Sequence, residues 1–286
     1  MVDVAFIAPS NSANTYQSLS AKYSAIEPPT WALLLSESVR SNGFKPVIID
    51  SLAEHLSDKS VLEKIKILKP KVICLVVYGQ NVNAGTTNMS GAVRLAKVLK
   101  KNKLGILIGF IGSHVQALPK LTLEKEKCID FVFLNEGVYS IINILRLKNI
   151  KSSNLINVAG LAVRLDKKII FTGSEKIVPN EKMDNDLPGY AWDLLPFRTK
   201  PLDLYRSPLW HAEYKDEFRS PYAAIQTSIG CQFKCNFCMI NLINKDDNSD
   251  YSLASDYNKM RHWSVDFVKK EIKKLVDLGV KTIRIT

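Results

Sequence analysis

Two hydrophobic periods alternate along the first half of the chain. VDVAFIAP is apolar almost throughout and reads as a buried strand. TWALLLSESVRSNG follows with helical spacing, Thr30 placed to cap its start and Gly43 lying just past its end. The same alternation continues through KPVIID (strand), SVLEKIKILKP (helix), KVICLVVYG (strand) and NMSGAVRLAKVLKKN (helix). LGILIGFIG and DFVFLN read as strands separated by the helical turn ALPKLTL, and GVYSIINILRLK as a closing helix. Strands that are apolar on both faces must be covered on both sides. Strand–helix alternation of this kind predicts an α/β domain over 1–150, a doubly wound parallel sheet of the Rossmann or flavodoxin-like kind. Such sheets bind ligands beyond the C-terminal ends of their strands.

The pattern then changes. Alternation around LDKK predicts a small hairpin within 158–178, and the stretch that follows carries Pro188, Pro196, Pro201 and Pro208 with little periodicity. Residues 151–221 therefore read as a hairpin and a proline-rich linker, or an irregular wrap between the two units. A second unit, 222–286, opens with the strand YAAIQTSIG. Ser264 is placed to cap a helix whose Val265, Val268, Ile272, Leu275 and Val276 share one face, Gly279 ends it, and VKTIRIT begins another strand.

Composition narrows the chemistry. A chain of 286 residues with 46% hydrophobic and 23% charged residues suits a globular protein with a proper core. No apolar run is long enough to span a bilayer, and the N-terminus lacks a signal-peptide pattern, so a cytoplasmic location is expected. The net charge of +11 comes from lysines spread over helical stretches, which read as solvated faces and not as a nucleic-acid groove. Five cysteines, an odd number in a reducing compartment, favour metal binding or catalysis over disulfides. Cys74 and Cys128 stand alone in apolar surroundings and read as small buried hydrophobes. Trp31, Trp192, Trp210 and Trp263 read as packing residues.

Cys231, Cys235 and Cys238 are different. They crowd into TSIGCQFKCNFC, directly after a strand, with no fourth cysteine near. A structural zinc site wants four ligands, and His211 and His262 are distant in sequence. An iron–sulfur cube normally takes four thiolates, and three would leave one iron open. The C-x-x-x-C-x-aromatic-C pattern formed by Cys231, Cys235, Phe237 and Cys238 resembles the signature of the radical S-adenosylmethionine (SAM) superfamily. In order along the chain, PPTWALLLSESVRSNGFKPVIID, IGSHVQALP, DFVFLNEG, VAGLAVR, LPGYAWDLLP and the cysteine loop resemble radical SAM proteins with an N-terminal cobalamin-binding domain. Ile111-Gly112 stands where Gly-Gly is usual, and Asn135-Glu136-Gly137-Val138 where Gly-Glu-Gly-Glu is.

The resemblance implies a 4Fe-4S cluster on Cys231, Cys235 and Cys238, with SAM chelated at the open iron and Phe237 near the adenine. SAM would be cleaved reductively to a 5′-deoxyadenosyl radical, for methyl transfer to an unactivated carbon or phosphorus, or in some relatives for cyclisation or rearrangement. An electron donor such as flavodoxin or ferredoxin and a small-molecule substrate are implied as partners. Cobalamin would rest on Asn83, Thr86 and Thr87 after the third strand, Gly112, Ser113 and His114 after the fourth, and Glu136 and Gly137 after the fifth. The first strand is followed by APSNSANTY, without the Asp-x-His-x-x-Gly that supplies a histidine to cobalt, so no histidine ligand is expected from His55 or His114. Residues 222–286 would be the first part of a radical SAM (β/α) partial barrel, and since a full barrel takes about 200 residues or more, the sequence is expected to be C-terminally truncated.

A zinc reading of another class uses different residues. His211–Glu213 followed by Cys235-x-x-Cys238 resembles the H-x-E…P-C-x-x-C pattern of cytidine-type deaminases, although Lys234 replaces the proline and Cys231 is left without a role. A non-enzymatic zinc-binding module is the remaining alternative.

Overall fold

A computed structural model describes residues 1–11, 25–78, 82–207, 221–233, 235, 238, 240 and 260–286. Five parallel strands form the heart of the first unit: β1 (Val4–Ala8), β2 (Pro46–Asp50), β3 (Val72–Val76), β4 (Leu107–Ile111) and β5 (Phe131–Phe133). Their order is β2-β1-β3-β4-β5. Successive residues of each strand point to opposite faces, and both faces are covered. Val72, Cys74 and Val76 join the core under α1 (Thr30–Ser41) and α6 (Val138–Leu145). Ile73, Leu75 and Val77 join the core under α2 (Asp58–Leu68), α3 (Met89–Lys101), α4 (Ser113–Ala117) and α5 (Pro119–Lys125). This is the doubly wound α/β sheet that the apolar strands required. Chain direction across the sheet reverses between β1 and β3, so the ligand crevice of such a fold lies above these strand ends.

Two local expectations are altered. Thr30 begins α1, but its hydroxyl donates to the Pro28 carbonyl at 3.4 Å, and Pro29 occupies the cap without a side-chain bond. The hairpin between the units is also not free-standing. Its strands β6 (Leu161–Leu165) and β7 (Lys168–Phe171) extend the first sheet, β6 running antiparallel to β5 with Phe131 opposite Val163. The proline-rich stretch takes the form of an irregular wrap, and it buries Ile177, Val178, Met183, Leu187, Tyr190, Trp192, Leu195, Leu202 and Tyr205.

Polar anchors fix that wrap to both units. Tyr205 donates to Asp50 Oδ2 at 3.0 Å at the end of β2, and the amides of Leu52 and Ala53 donate to Asp50 Oδ1. Burial pushes the Asp50 carboxyl up to about 6. On the other side, Tyr190 accepts the Gln226 amide at 2.9 Å, and the Trp263 indole donates to the Leu187 carbonyl at 3.0 Å.

The second unit holds β8 (Tyr222–Ile225) and β11 (Thr282–Ile285), paired in parallel, and β9 (Ser228–Ile229) and β10 (Arg261–His262), paired antiparallel. Helix α9 (Val265–Asp277) starts as expected, with the Ser264 hydroxyl accepting the Phe267 amide at 3.1 Å. Its buried side keeps the middle of the expected face and drops the two valines at its ends. Phe267, Glu271 and Leu275 are buried, Val268 and Ile272 are half-buried, and Val265 and Val276 are 69% and 60% exposed. Glu271 is tolerated there because the Trp192 indole donates to Oε2 at 3.1 Å and Lys274 pairs with Oε1 at 2.6 Å. A charged residue on the buried side hid it from the hydrophobic pattern.

Candidate cofactor face and cysteine loop

The loops leaving β3, β4 and β5 meet at one edge of the first sheet. Gly112 follows β4 with φ +154, and a Cβ there would collide with the Val77 carbonyl oxygen. That carbonyl belongs to a residue whose amide donates to Ile111 at 2.7 Å, so the β3 and β4 exits are stitched together at closest approach. The β3 exit then forms a 3-10 turn, Val82–Asn88, which contains Asn83, Thr86 and Thr87. Within it Gly85 lies against Ser113, where any Cβ would strike the Ser113 hydroxyl. Asn88 Nδ2 donates to the Tyr78 carbonyl at 2.7 Å, and Asn11 Nδ2 to the Thr87 carbonyl at 2.5 Å, tying the β1 exit to the same turn.

The expected residues divide into two groups. Thr86 and Thr87 are exposed, and Thr86 Oγ1 bonds His114 Nδ1 at 3.1 Å across the cleft between the β3 turn and α4. Burial lowers the pKa of half-buried His114 and so favours the neutral imidazole. Ser113 is buried with no hydrogen-bond partner for its hydroxyl, and the buried Oε1 of Gln116 also lacks one. Buried polar atoms of this kind ordinarily have partners, so the pair marks a place where a polar ligand can be received.

Glu136 and Gly137 look inward instead. Gly137, at φ +75, opens α6 with its amide on Asn135 Oδ1 at 2.9 Å. The Glu136 carboxylate is 4% exposed and forms a two-pronged ion pair with Arg261 of β10, at 2.8 Å to Oε2 and 3.2 Å to Oε1. The Val178 amide also donates to Oε1. Glu136 thus spends its side chain on the second unit.

Arg261 was not foreseen from the sequence. A buried acid such as Glu136 calls for a basic partner, but nothing in the chain's patterning couples two residues 125 positions apart.

The three cysteines follow β9, whose exit is set by Gly230 at φ +98. Cys231 and Cys238 are half-buried and Cys235 is exposed. The Phe233 amide points at Cys231 Sγ at 3.5 Å, and the Cys238 amide donates to the Cys235 carbonyl at 3.0 Å, so the loop curls back on itself. Among the described residues no three His, Cys, Asp or Glu side chains are gathered as metal ligands. The donor set itself, three thiols on one accessible loop, suits a soft metal centre. Phe237 lies outside the described residues, as do His211 and Glu213 of the zinc reading and Trp210. Cys74 and Cys128 are buried, with burial raising both thiols, as expected of small hydrophobes. No helix among the described residues is long and apolar enough to cross a membrane.

Residues 16–145 match the family model of the B12 binding domain. An uncharacterized methyltransferase of Pyrococcus horikoshii is 26% identical over 215 residues, covering 75% of this chain and 41% of that protein. The anaerobic magnesium-protoporphyrin IX monomethyl ester cyclase of Rubrivivax gelatinosus is 25% identical over 228 residues, covering 78% of this chain and 37% of the cyclase. The chain therefore spans about two fifths of the length of these curated relatives. Among solved structures, the cobalamin-dependent SAM radical enzyme OxsB matches the whole chain with a TM-score of 0.66 at 14% identity, over 34% of its own length. The radical SAM methyltransferase TsrM of Kitasatospora setae matches with a TM-score of 0.62 at 13% identity, over 47% of its length.

Proposed function

From a chain that carries a B12-binding domain and has the fold of the cobalamin-dependent radical SAM enzymes, we propose a cobalamin-dependent radical SAM methyltransferase, or the part of one that houses both cofactors. The observation that carries this reading is one of succession. A B12-binding match over 16–145 is followed, in the same chain, by C-x-x-x-C-x-F-C at the exit of a strand. Residues 1–150 are the cobalamin domain, 151–221 the connecting hairpin and wrap, and 222–286 the opening of the radical SAM core. When bound, the cluster supplies the electron that cleaves SAM, and cobalamin carries the methyl group.

The chain's own residues seat and separate these groups. Cys231, Cys235 and Cys238 would hold the cluster, and the family resemblance assigns Phe237 to the adenine of SAM. Asn83, Thr86, Thr87, Gly112, Ser113, His114 and the backbone around Glu136 and Gly137 offer amides and hydroxyls to the corrin rim. At positions 85 and 112 the absence of a side chain lets Ser113 and the Val77 carbonyl pack close, which holds these strand exits together. Methyl transfer is favoured by a relative whose name carries that activity, while a cyclase relative keeps ring formation as the second reading. An electron donor such as flavodoxin or ferredoxin and a cytoplasmic setting belong to the same proposal.

The test is anaerobic reconstitution of the chain followed by gel filtration with hydroxocobalamin. About four irons and four sulfides per chain are expected, with one cobalamin retained and a cluster EPR signal that changes when SAM is added. Uptake of a single zinc without iron would move the cysteine loop to the deaminase or zinc-module reading.

A further inference from the structure

The ion pair between Glu136 and Arg261 joins the two proposed cofactor sites. Arg261 lies opposite Ile229 in the β9–β10 pairing, two residues before Cys231. Its side chain is 5% exposed, its Nη1 also donates to the Val178 carbonyl at 2.6 Å, and its Nε is buried without a partner. On the other side, the backbone of Glu136 belongs to the β5 exit. Its carbonyl accepts the Trp31 indole at 3.1 Å, and the Trp31 ring packs 5.9 Å from Tyr78 at the β3 exit. The neighbouring Asn135 carbonyl accepts Gln116 Nε2, which also reaches Tyr78 Oη at 3.2 Å and lies two residues after His114. Contacts thus run without a break from the strand before Cys231 to the loops proposed to hold the corrin.

A buried ion pair is seldom the cheapest way to add stability, because both charges lose their hydration. What a forked guanidinium–carboxylate pair does supply is fixed orientation. We infer that Arg261 and Glu136 are positioning residues. Through β10 and β9 they hold the cysteine loop in one register against the strand-end loops, so that filling one cofactor site is felt at the other. This inference rests on the proposed function.

The experiment uses the full chain, titrated anaerobically with hydroxocobalamin in the visible spectrum before and after cluster reconstitution. In the wild type, the cluster should tighten cobalamin binding by about tenfold, within the usual range for coupled sites. The Glu136→Gln/Arg261→Met double variant removes both charges and leaves no unpaired buried ion. Whatever its cluster-free affinity, the ratio of its cobalamin affinities with and without the cluster should fall to about one. Arg261→Lys keeps the charge but not the fork, and should retain only part of the effect. It carries the test if the double variant fails to fold. A wild type that takes both cofactors without coupling overturns the inference alone, as does either variant retaining full coupling. A wild type that takes up no cobalamin overturns the functional reading and the inference together.

Discussion

The strand-end loops and the cysteine loop are built in opposite ways. Among the described residues of the loops after β3, β4 and β5, Gly112 is pressed on Val77, Gly85 on Ser113, and Asn88 and Asn11 tie down the turn between them. Their shape follows from the packed sheet beneath. In the cysteine loop the thiols of Cys231 and Cys238 are half-buried and that of Cys235 is exposed, and the Cys238 amide donates to the Cys235 carbonyl. The proposed cluster would gather these three thiols. A preformed site loses little order on binding, whereas a site completed by its metal draws its own local folding from the metal. The two regions should therefore respond very differently to substitution.

The largest effect is expected at the cysteines. Cys235→Ala should reduce reconstituted iron from about four per chain to about one or none, while the thermal unfolding of the first sheet stays unchanged. Full cluster uptake by this variant would mean that the loop does not supply the ligands.

Gly112→Ala probes the preformed side. The added methyl meets the Val77 carbonyl oxygen at a backbone conformation that only glycine adopts easily. Overpacking and backbone strain together should lower stability by about 4 kcal/mol, read as an earlier denaturant midpoint, and cobalamin retention should fall with it. A variant of wild-type stability would show that the strand exits are looser than their packing indicates.

How much of this was legible in the sequence follows the same division. The five parallel strands could be read because each is apolar on both faces, as Val72–Val76 is. The cysteine spacing could be read because it is purely local. What could not be read depends on pairs far apart in the chain. Glu271 sits on the buried side of α9 because Trp192, 79 residues earlier, supplies a donor, and a hydrophobic pattern scores that position as solvent. The hairpin could be predicted, but nothing local specified that β6 would add to β5. Glu136 was singled out by its place in a motif, yet its role depends on Arg261, which no spacing rule connects to it.

The wrap between the regions gives a smaller, pH-dependent effect. Burial raises Asp50 from the ordinary 3.8 to about 6 in the folded chain. The folded state therefore holds a proton that the unfolded state has released between these values. Its contribution to stability is fully present below about pH 4 and is lost as the pH rises through about 6. A rise of this size corresponds to about 3 kcal/mol. Asp50→Asn should flatten the wild type's loss of stability between pH 4 and 6, measured as the difference in unfolding free energy across that window. An unchanged slope would show that Tyr205 and the two loop amides hold the ionised form without cost.

The smallest effect is expected at His114, and it tests whether the strand-end loops form a metal site at all. The ring lies on α4 after the fourth strand, Nδ1 is engaged by Thr86 Oγ1 at 3.1 Å, and burial favours the neutral form. These features suit a tie between the β3 turn and α4. A single neutral hydrogen bond contributes about 1 kcal/mol, so His114→Ala should weaken cobalamin retention by no more than about tenfold. The EPR spectrum of the bound cob(II)alamin should be the same in variant and wild type, because the ring acts on the loop and not on cobalt. If a nitrogen hyperfine pattern present in the wild type vanishes in His114→Ala, the ring is an axial ligand. The preformed face would then share with the cysteine loop the property that now separates them, a side chain bound directly to metal.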